Sequence, residues 1–473
     1  MKLKFAYIVI AFISFTLLPR IYAQTCGPRC FTPAEGTAVG LLALDHVTTG
    51  INNTAVGFAA LDTTTTGNLN TAIGVRSLFN NNSDENTATG AYALNSNTTG
   101  GFNTANGASA LQANTTGGSN TAIGANALQV NTTGFANTAT GLAALASNTT
   151  GTENTANGVT ALMDNTTGSF NTAIGRDAMN NNTTGNFNVA SGYQALFSST
   201  TGGSNTANGY LALQANTTGG FNVGIGANSL QSNTTGINNV AAGGFALFTN
   251  SIGTNNTAIG GNALFNVTGS SNTALGASAG ADLTTGGDNI DIANRGVAGE
   301  AGVIRIGTTG TQTASYVAGI WQAPLTGSAA PVRVNSSGKL GTMPSSARFK
   351  EAIQPIDRAS ESILALRPVT FRYKKELDPA AVPQFGLVAE EVAKVNPDLV
   401  VSDEEGKPFS VRYEEVNAML LNEFIKAHRK VESLEKALAQ QQQQIEALTE
   451  RLEKVGGLLD VSAKSPRLLA SEE

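Results

Sequence analysis

One short stretch, Ser345 to Lys350, places a potential nucleophile beside a potential base, and the rest of the sequence offers no comparable pair. A serine hydroxyl is a weak nucleophile until a base removes its proton. A lysine can remove that proton only in its neutral form, which burial or a nearby positive charge favours. Residues five apart do not share a face of an α-helix. The spacing therefore predicts that the segment bends or extends if Ser345 and Lys350 are to meet.

The chain divides at this stretch into a repetitive part with few charges and a charged, non-repetitive C-terminal part. It has 473 residues and a formal net charge of -6, and no lysine occurs between Lys4 and Lys339. A small negative net charge does not indicate a nucleic-acid-binding protein. The elements that would position the Ser345–Lys350 stretch must therefore be sought in the C-terminal part.

The N-terminus has the pattern of a secretory signal peptide over residues 1–23. Lys2 and Lys4 precede an apolar run, 5–18, that is too short for a comfortable membrane span. Ile21-Tyr22-Ala23 is an acceptable cleavage site, and an uncleaved anchor is the alternative. No other run is apolar enough to span a membrane. The pattern predicts a secreted or cell-surface protein with no membrane span after signal removal.

The two cysteines, Cys26 and Cys30, follow in an N-terminal segment at 24–35. In an oxidising compartment they can pair with each other or link neighbouring chains. The two histidines, His46 and His428, are far from each other and from the cysteines in sequence. We therefore expect no metal site and no cofactor.

Residues 36–288 contain 15 copies of a 17-residue unit, Asn-Thr-Ala-x-Gly-x-x-Ala-Leu-x-x-Asn-Thr-Thr-Gly-x-x, two of them shortened to 16. The fifth position is always Gly, the eighth almost always Ala and the ninth usually Leu. Gly, Thr and Asn disfavour a helical repeat. The unit predicts a mainly β protein, a β-solenoid or β-roll with two short strands and two turns per unit and with Asn and Thr ladders along the stack.

One Leu and two Ala per unit make a narrow core, so association of three chains would bury more of each coil. The small-residue units Ala72-Ile73-Gly74 and Ala122-Ile123-Gly124 resemble in style the β-roll heads of trimeric autotransporter adhesins, although the unit length differs. An alternative is a flat ladder of paired threonines, such as Thr115-Thr116, that binds ice. Calcium-binding repeats need an Asp at each turn, which these units lack.

After the repeats, residues 289–344 predict a short β-rich neck. The segments 303–306, 315–318 and 332–334 alternate like short strands and are separated by Gly and Ser. Trp321 follows the second segment, and its two alternative roles are packing and binding.

Residues 345–430 resemble the C-terminal intramolecular chaperone of phage endosialidases and tail spikes, a self-cleaving domain. The likeness is carried by four segments: Ser345-Ser346-Ala347-Arg348-Phe349-Lys350, Leu366-Arg367-Pro368-Val369-Thr370-Phe371-Arg372-Tyr373, Gly386-Leu387-Val388-Ala389-Glu390-Glu391-Val392 and Val411-Arg412-Tyr413. They place an α+β chaperone domain at 345–419.

The resemblance implies that the chain cuts its own backbone between Pro344 and Ser345, with Ser345 as nucleophile and Lys350 as base. Arg348 is close enough in sequence to lower the pKa of a lysine. Two residues depart from the family pattern, which commonly has Asp after the serine and rarely has proline before the cut. Ser346 as nucleophile and a chaperone that does not cleave are therefore alternatives.

The chain then predicts a coiled coil at 420–456 and a disordered tail at 457–473. Apolar residues recur at alternating spacings of three and four, which is typical of a coiled-coil seam. Gln441 is its one polar member, and Gly456-Gly457 is expected to end the helix. The family resemblance implies a homotrimer. The seam consists of Leu420, Phe424, Ala427, Val431, Leu434, Leu438, Gln441, Ile445, Leu448, Leu452 and Val455.

These parts favour a secreted, trimeric bacterial fibre or adhesin with an unknown surface ligand, whose C-terminal domain chaperones assembly and cleaves before Ser345. The alternative is a β-solenoid that binds ice or glycan and carries a non-cleaving trimerisation tail. A phage tail fibre is a third hypothesis, against which the signal sequence argues.

Overall fold

The computed structural model describes residues 36–320, 326–403 and 405–463. The chain divides between Ala318 and Gly319 into two compact units, which are described separately. The predicted signal peptide, Cys26 and Cys30, Trp321 and residues 464–473 of the predicted tail lie outside the described residues.

The N-terminal unit is a parallel β-solenoid of 16 turns, which confirms the predicted architecture. Each strand has three residues and pairs in parallel with the strands of the turns before and after it. The prediction of two strands per unit is wrong, because the remainder of each turn is a hydrogen-bonded loop. The strands are β1 (Thr37–Val39), β2 (Thr54–Val56), β3 (Thr71–Ile73), β4 (Thr87–Thr89), β5 (Thr104–Asn106), β6 (Thr121–Ile123), β7 (Thr138–Thr140), β8 (Thr155–Asn157), β9 (Thr172–Ile174), β10 (Val189–Ser191), β11 (Thr206–Asn208), β12 (Val223–Ile225), β13 (Val240–Ala242), β14 (Thr257–Ile259), β15 (Thr273–Leu275), β16 (Ile290–Ile292) and β17 (Ile304–Ile306).

The Asn-Thr-Ala-x segment forms the strand because its side chains alternate between the two faces of the sheet. In β7, Ala139 is fully buried, while Thr138 and Thr140 point outward. The ninth-position leucines, such as Leu145, fill the rest of the core from the loop. Leu145 has a φ of 52°, and this left-handed conformation costs about 1–2 kcal/mol. Burial of a leucine side chain contributes about 1.5–3 kcal/mol, so the core contact outweighs the strain.

The fifth-position glycines are required by backbone conformation and by close approach. Gly74 has a φ of 139°, and a Cβ there would lie 2.5 Å from the carbonyl oxygen of Gly90 in the next turn. A side chain would therefore clash with backbone and strain φ at once. This explains why the position admits only Gly in all 15 copies.

Two asparagine columns run inside the solenoid and confirm the predicted ladders. At the first position, Asn137 donates through Nδ2 to Asn120 Oδ1 at 3.2 Å and to the Gly151 carbonyl at 2.9 Å. At the twelfth position, Asn148 Nδ2 donates to Asn131 Oδ1 at 2.7 Å. These amides are fully buried, and their bonds remove the cost of burying unpaired polar groups.

The solenoid continues past residue 288, so the predicted start of the neck at 289 is wrong. Strands β16 and β17 extend the same sheet, and Asp291 and Arg305 occupy the inward column that holds alanine in the earlier turns. These charged residues break the repeat motif without breaking the backbone pairing. The strand predicted at 315–318 is absent from the structure, whereas Ile304–Ile306 and Arg333–Val334 form strands.

The C-terminal unit holds short elements around a small core of Ile363, Val392, Leu399, Val411 and Met419. Its strands pair as three antiparallel hairpins, and three 3-10 helices lie between them. The elements in order are β18 (Arg333–Val334), β19 (Leu340–Gly341), a 3-10 helix (Ala347–Phe349), a 3-10 helix (Asp357–Ala365), β20 (Val369–Phe371), β21 (Gln384–Gly386), α1 (Ala389–Val395), a 3-10 helix (Pro397–Leu399), β22 (Val400–Ser402), β23 (Pro408–Val411) and α2 (Tyr413–Ala463).

Helix α2 passes through Gly456 and Gly457, so the predicted helix end is wrong. A glycine inside a helix costs about 1 kcal/mol relative to alanine, which weakens a helix without stopping it. The large apolar residues of the predicted seam are between 50% and 71% exposed. The described chain therefore leaves this stripe of α2 uncovered.

Candidate functional site

The structure brings Ser345 and Lys350 together. One turn of 3-10 helix, Ala347–Phe349, lies between them, and Lys350 then returns to an extended conformation with φ -126° and ψ 144°. As a result, Lys350 Nζ lies 3.3 Å from Ser345 Oγ. The predicted bend is confirmed, and the two side chains are within reach of proton transfer.

Ser346 and Arg348 do not join this pair. Ser346 is the residue that precedes the 3-10 turn, and its side chain makes no capping hydrogen bond there. The Arg348 guanidinium carbon lies 4.6 Å from the ring centroid of Phe349, stacked on the aromatic face. Within the described residues, neither side chain is hydrogen-bonded to Ser345 or Lys350. The geometry therefore favours Ser345 over Ser346 as the partner of Lys350.

The segment that carries the pair is exposed to solvent. Every residue from 334 to 359 is exposed, including Pro344, Ser345 and Lys350. An ammonium group in water keeps its proton, and removal of water favours the neutral amine. Within the described residues, nothing covers this segment.

A second serine–lysine pair lies between the 3-10 helix Asp357–Ala365 and α2. Ser360 is fully buried, and its Oγ lies 3.3 Å from Lys426 Nζ and 2.5 Å from Glu423 Oε1. Asn422 also donates to Ser360 Oγ at 2.7 Å. Sequence reasoning missed this cluster, because Ser360 is more than 60 residues from the other members and no local motif marks them.

The two pairs differ in their electrostatics. The hydrogen bond from Lys426 to Glu423, 2.7 Å long, raises the pKa of Lys426 and lowers that of Glu423. A lysine held in its charged form cannot act as a base. Ser360 and Lys426 therefore form a structural clamp, whereas Lys350 has no carboxylate among its hydrogen-bond partners in the described residues.

The other segments that carry the family likeness pack against one another. Strands β20 and β21 pair, and Arg367 forms an ion pair with Glu391 at 2.5 Å, which lowers the pKa of that carboxyl. The Leu387 backbone N–H donates to Tyr413 Oη at 3.1 Å. A Cβ on Gly386 would lie 2.8 Å from the same oxygen. The position of the Tyr413 hydroxyl therefore favours a residue without a side chain at position 386.

Within the described residues, one group of metal-ligating residue types lies in the first solenoid turns, where the sequence suggested none. Asp45, His46 and Asp62 place one ligand atom each within 4.8 Å of one another. His46 Nδ1 is 3.0 Å from Asp62 Oδ1, and this hydrogen bond raises the pKa of His46. The His46–Asp62 pair accounts for this arrangement by itself.

Comparison with protein families found a match, at residues 345–401, to the peptidase S74 family, the chaperone of endosialidase. The match begins at Ser345 and contains three of the four segments that suggested the family, while Val411-Arg412-Tyr413 lies beyond it. Comparison of the chain with curated proteins and with solved structures found no match. Within the described residues, no helix is long and apolar enough to cross a membrane. Residues 345–401 are therefore a chaperone-of-endosialidase domain, preceded in the chain by a 16-turn β-solenoid.

Proposed function

We propose that this protein is a secreted or surface-exposed trimeric fibre of the adhesin or tail-fibre kind, matured by its own C-terminal domain. That domain gathers the chains and then cleaves before Ser345. The observation that carries the proposal is the 3.3 Å distance from Lys350 Nζ to Ser345 Oγ at the first residue of the family match.

The cleavage needs only groups that this chain supplies, together with water. Lys350 takes the proton of Ser345 Oγ, and Oγ attacks the carbonyl carbon of Pro344. The Pro344–Ser345 amide bond breaks, the Ser345 nitrogen takes up a proton, and an ester joins Pro344 to Oγ. Water then hydrolyses the ester, leaving a carboxylate on Pro344 and an amine on Ser345. A serine placed next to its own scissile bond needs no substrate pocket.

The exposure of the segment supports a link between cleavage and assembly. In one chain, Ser345 and Lys350 lie on a segment that is exposed to water. Neighbouring chains of a trimer are available to exclude that water. Cleavage would then follow assembly, and the released solenoid would stay folded because unfolding is slow rather than because the chaperone persists.

The long stripe on α2 supports self-association of this unit. Its apolar side chains recur with coiled-coil spacing and are at least half exposed. Parallel helices that cover this stripe would bury it and raise the local concentration of the attached solenoids. The family resemblance, rather than the heptads, suggests three chains.

The test is the intact mass of the purified protein beside the Ser345→Ala and Lys350→Ala variants. We expect a fragment of residues 345–473 from the wild type only. Ser360→Ala is the matched control, because it removes the other serine near a lysine and should leave cleavage intact. A full-length wild-type chain in a sedimenting trimer would show instead a permanent trimerisation tail.

The alternative, an ice- or glycan-binding solenoid, is favoured by one exposed column of threonines. Thr116, Thr133 and Thr150 stand on successive turns and are exposed. The threonines that precede them in the chain are hydrogen-bonded between turns, since Thr132 Oγ1 donates to the Thr149 carbonyl at 2.9 Å. Replacement of the exposed column by serine should abolish ice or glycan binding without changing assembly if this alternative holds, and should have no effect under the main proposal.

A further inference from the structure

The outward column at the fourth position of the repeat has a period of three turns. From β3 to β12 it runs Ile, Thr, Asn, Ile, Thr, Asn, Ile, Ser, Asn, Ile, and the register pairs each residue with the next. The column comprises Ile73, Thr89, Asn106, Ile123, Thr140, Asn157, Ile174, Ser191, Asn208 and Ile225. Stacking of turns within one chain does not require this order, because every turn offers the column the same backbone.

The isoleucines of this column are uncovered. Ile73, Ile123, Ile174 and Ile225 are 41%, 43%, 46% and 46% exposed, and Asn106, Asn157 and Asn208 are exposed as well. An apolar residue on every third turn places one about every 14 Å along the stack. Single exposed apolar residues are ordinary on protein surfaces, but these recur at a fixed interval along one column, which a partner with the same interval would match.

The same face carries no charge. The first and third residues of all 17 strands point outward, and they are Thr, Val, Ile, Leu, Asn, Ser or Ala in every strand. Charged residues elsewhere in the solenoid, such as Arg76, Asp84 and Glu153, stand on loop positions. Depletion of charge is characteristic of the centre of a protein interface.

We infer that this strand face is the contact surface between copies of this chain, and that the Asn106, Asn157 and Asn208 layers fix the copies in axial register. The inference rests on the proposed assembly and names the solenoid surface that would take part in it. A second copy is the partner because it has the same rise per turn and the same three-turn period.

The size of the face agrees with such an interface. Sixteen steps of about 4.8 Å give a strip roughly 77 Å long, and a three-residue strand is roughly 10 Å wide. That strip is about 800 Å² per copy, which is the size of a standard specific interface.

The order of the column supplies the register. In register, like residues meet, so isoleucines bury one another and asparagine amides pair across the copies. A slip of one turn places Asn157 against Ile or Thr and leaves an amide without a partner inside the interface. Single polar layers have this effect in coiled coils, where one asparagine specifies alignment. A slip of three turns restores most of the matches but shortens the contact.

The test is disulfide formation between copies of the protein that carry Ser345→Ala, which keeps the chain full-length, with Cys26 and Cys30 replaced by serine. We expect Thr140→Cys chains to cross-link with one another on mild oxidation, because a disulfide requires Cβ atoms about 4 Å apart. Glu153→Cys, an exposed site on the loop face, should stay unlinked. A mixture of differently tagged Thr140→Cys and Ile123→Cys chains should give no mixed product.

Two further variants separate the possible outcomes. Replacement of Asn106, Asn157 and Asn208 by isoleucine should allow the mixed Thr140–Ile123 cross-link to appear. Leu438→Cys on α2 reports assembly through the helix. Cross-linking at Leu438 without cross-linking at Thr140 would overturn this inference and leave the proposed assembly standing. Cross-linking at neither site, with a monomer in sedimentation, would overturn both.

Discussion

A buried, unpaired carboxylate near the end of the solenoid predicts a stability that falls as pH rises. Asp291 occupies the inward column of β16, between Ala274 and Arg305 in register. It is 1% exposed, and neither carboxylate oxygen has a hydrogen-bond partner. The guanidinium of Arg305 is turned to Glu300, with Nη2 at 2.6 Å from Oε2. The perturbation of choice is Asp291→Ala, which places in β16 the alanine that Ala274 provides in the turn before it.

The magnitude follows from the pKa of Asp291. Burial raises it from 3.8 to about 6, with a further increase from Glu300 and a decrease from Arg305. A shift of about two pKa units at about 1.4 kcal/mol each corresponds to roughly 3 kcal/mol. Because the folded pKa is the higher one, the folded state binds the proton more tightly than the unfolded state. The contribution of Asp291 to native stability is therefore greatest below about pH 4 and is lost as the carboxyl ionises through about pH 6.

Hydrogen exchange of the amides in β16 is the suitable assay, because a solenoid opens locally from its ends. The Ile290 amide donates to the Val303 carbonyl at 2.9 Å and reports the pairing of the last two strands. At pH 7.5 we expect this amide to exchange roughly a hundredfold more slowly in Asp291→Ala than in wild type, since about 1.4 kcal/mol is tenfold. At pH 4 the two proteins should be nearly equal.

Asp288→Asn is the matched control, because Asp288 is exposed and only three residues away. It should leave the exchange of the Ile290 amide unchanged at both pH values. Equal effects of Asp291→Ala at pH 4 and pH 7.5, or faster exchange at pH 7.5, would contradict this prediction. Either result would show that the ionised carboxylate of Asp291 does not destabilise the folded solenoid.

Three further substitutions test the packing of the two units. Ser199 interrupts the twelfth-position ladder and leaves the Oδ1 atom of Asn182 without a partner, so Ser199→Asn should stabilise the solenoid by about 1 kcal/mol in denaturant unfolding; a loss of stability would show that the site has no room for the amide. Gly74→Ala should cost more than the 1–2 kcal/mol of a left-handed alanine, because its Cβ meets backbone, and thermal unfolding near wild type would contradict that clash. Ser360→Ala should leave Glu423 without one of its partners and destabilise the C-terminal unit by about 1–3 kcal/mol in calorimetry, without a change in the extent of cleavage.

The repeat made the solenoid predictable, because every turn samples the same environment and its constraints accumulate over 15 copies. The Gly at position five indicated close backbone approach, and the alternation in Asn-Thr-Ala indicated a strand. The same evidence could not reveal one strand per turn, since Leu145 adopts a left-handed φ that leucine avoids unless burial repays it. The end of the solenoid could not be predicted from the repeat, because Asp291 and Arg305 replace alanine while the backbone pairing continues.

The C-terminal site was predictable to a different degree. Ser345 and Lys350 are local in sequence, so a family resemblance sufficed to pair them, and the 3-10 turn between them brings the two atoms to 3.3 Å. Ser360 Oγ and Lys426 Nζ are also 3.3 Å apart although the residues are 66 positions apart in sequence. No motif near either residue indicates this contact. Distance alone does not distinguish the two pairs. The carboxylate of Glu423 does, because it holds Lys426 in the charged form.

The interior of the solenoid explains why a chaperone would follow it. Most turns bury one leucine and a few alanines, while in the turn 137–153 three non-glycine residues, Ala143, Leu145 and Glu153, take left-handed φ values. The asparagine ladders contribute only between turns, so the first turns to form gain little and each later turn gains more. Such a stack is slow to nucleate and easy to extend. Under the proposed function, a domain that aligns several chains would supply the nucleus, and once the ladders were complete it would have no further role in holding them.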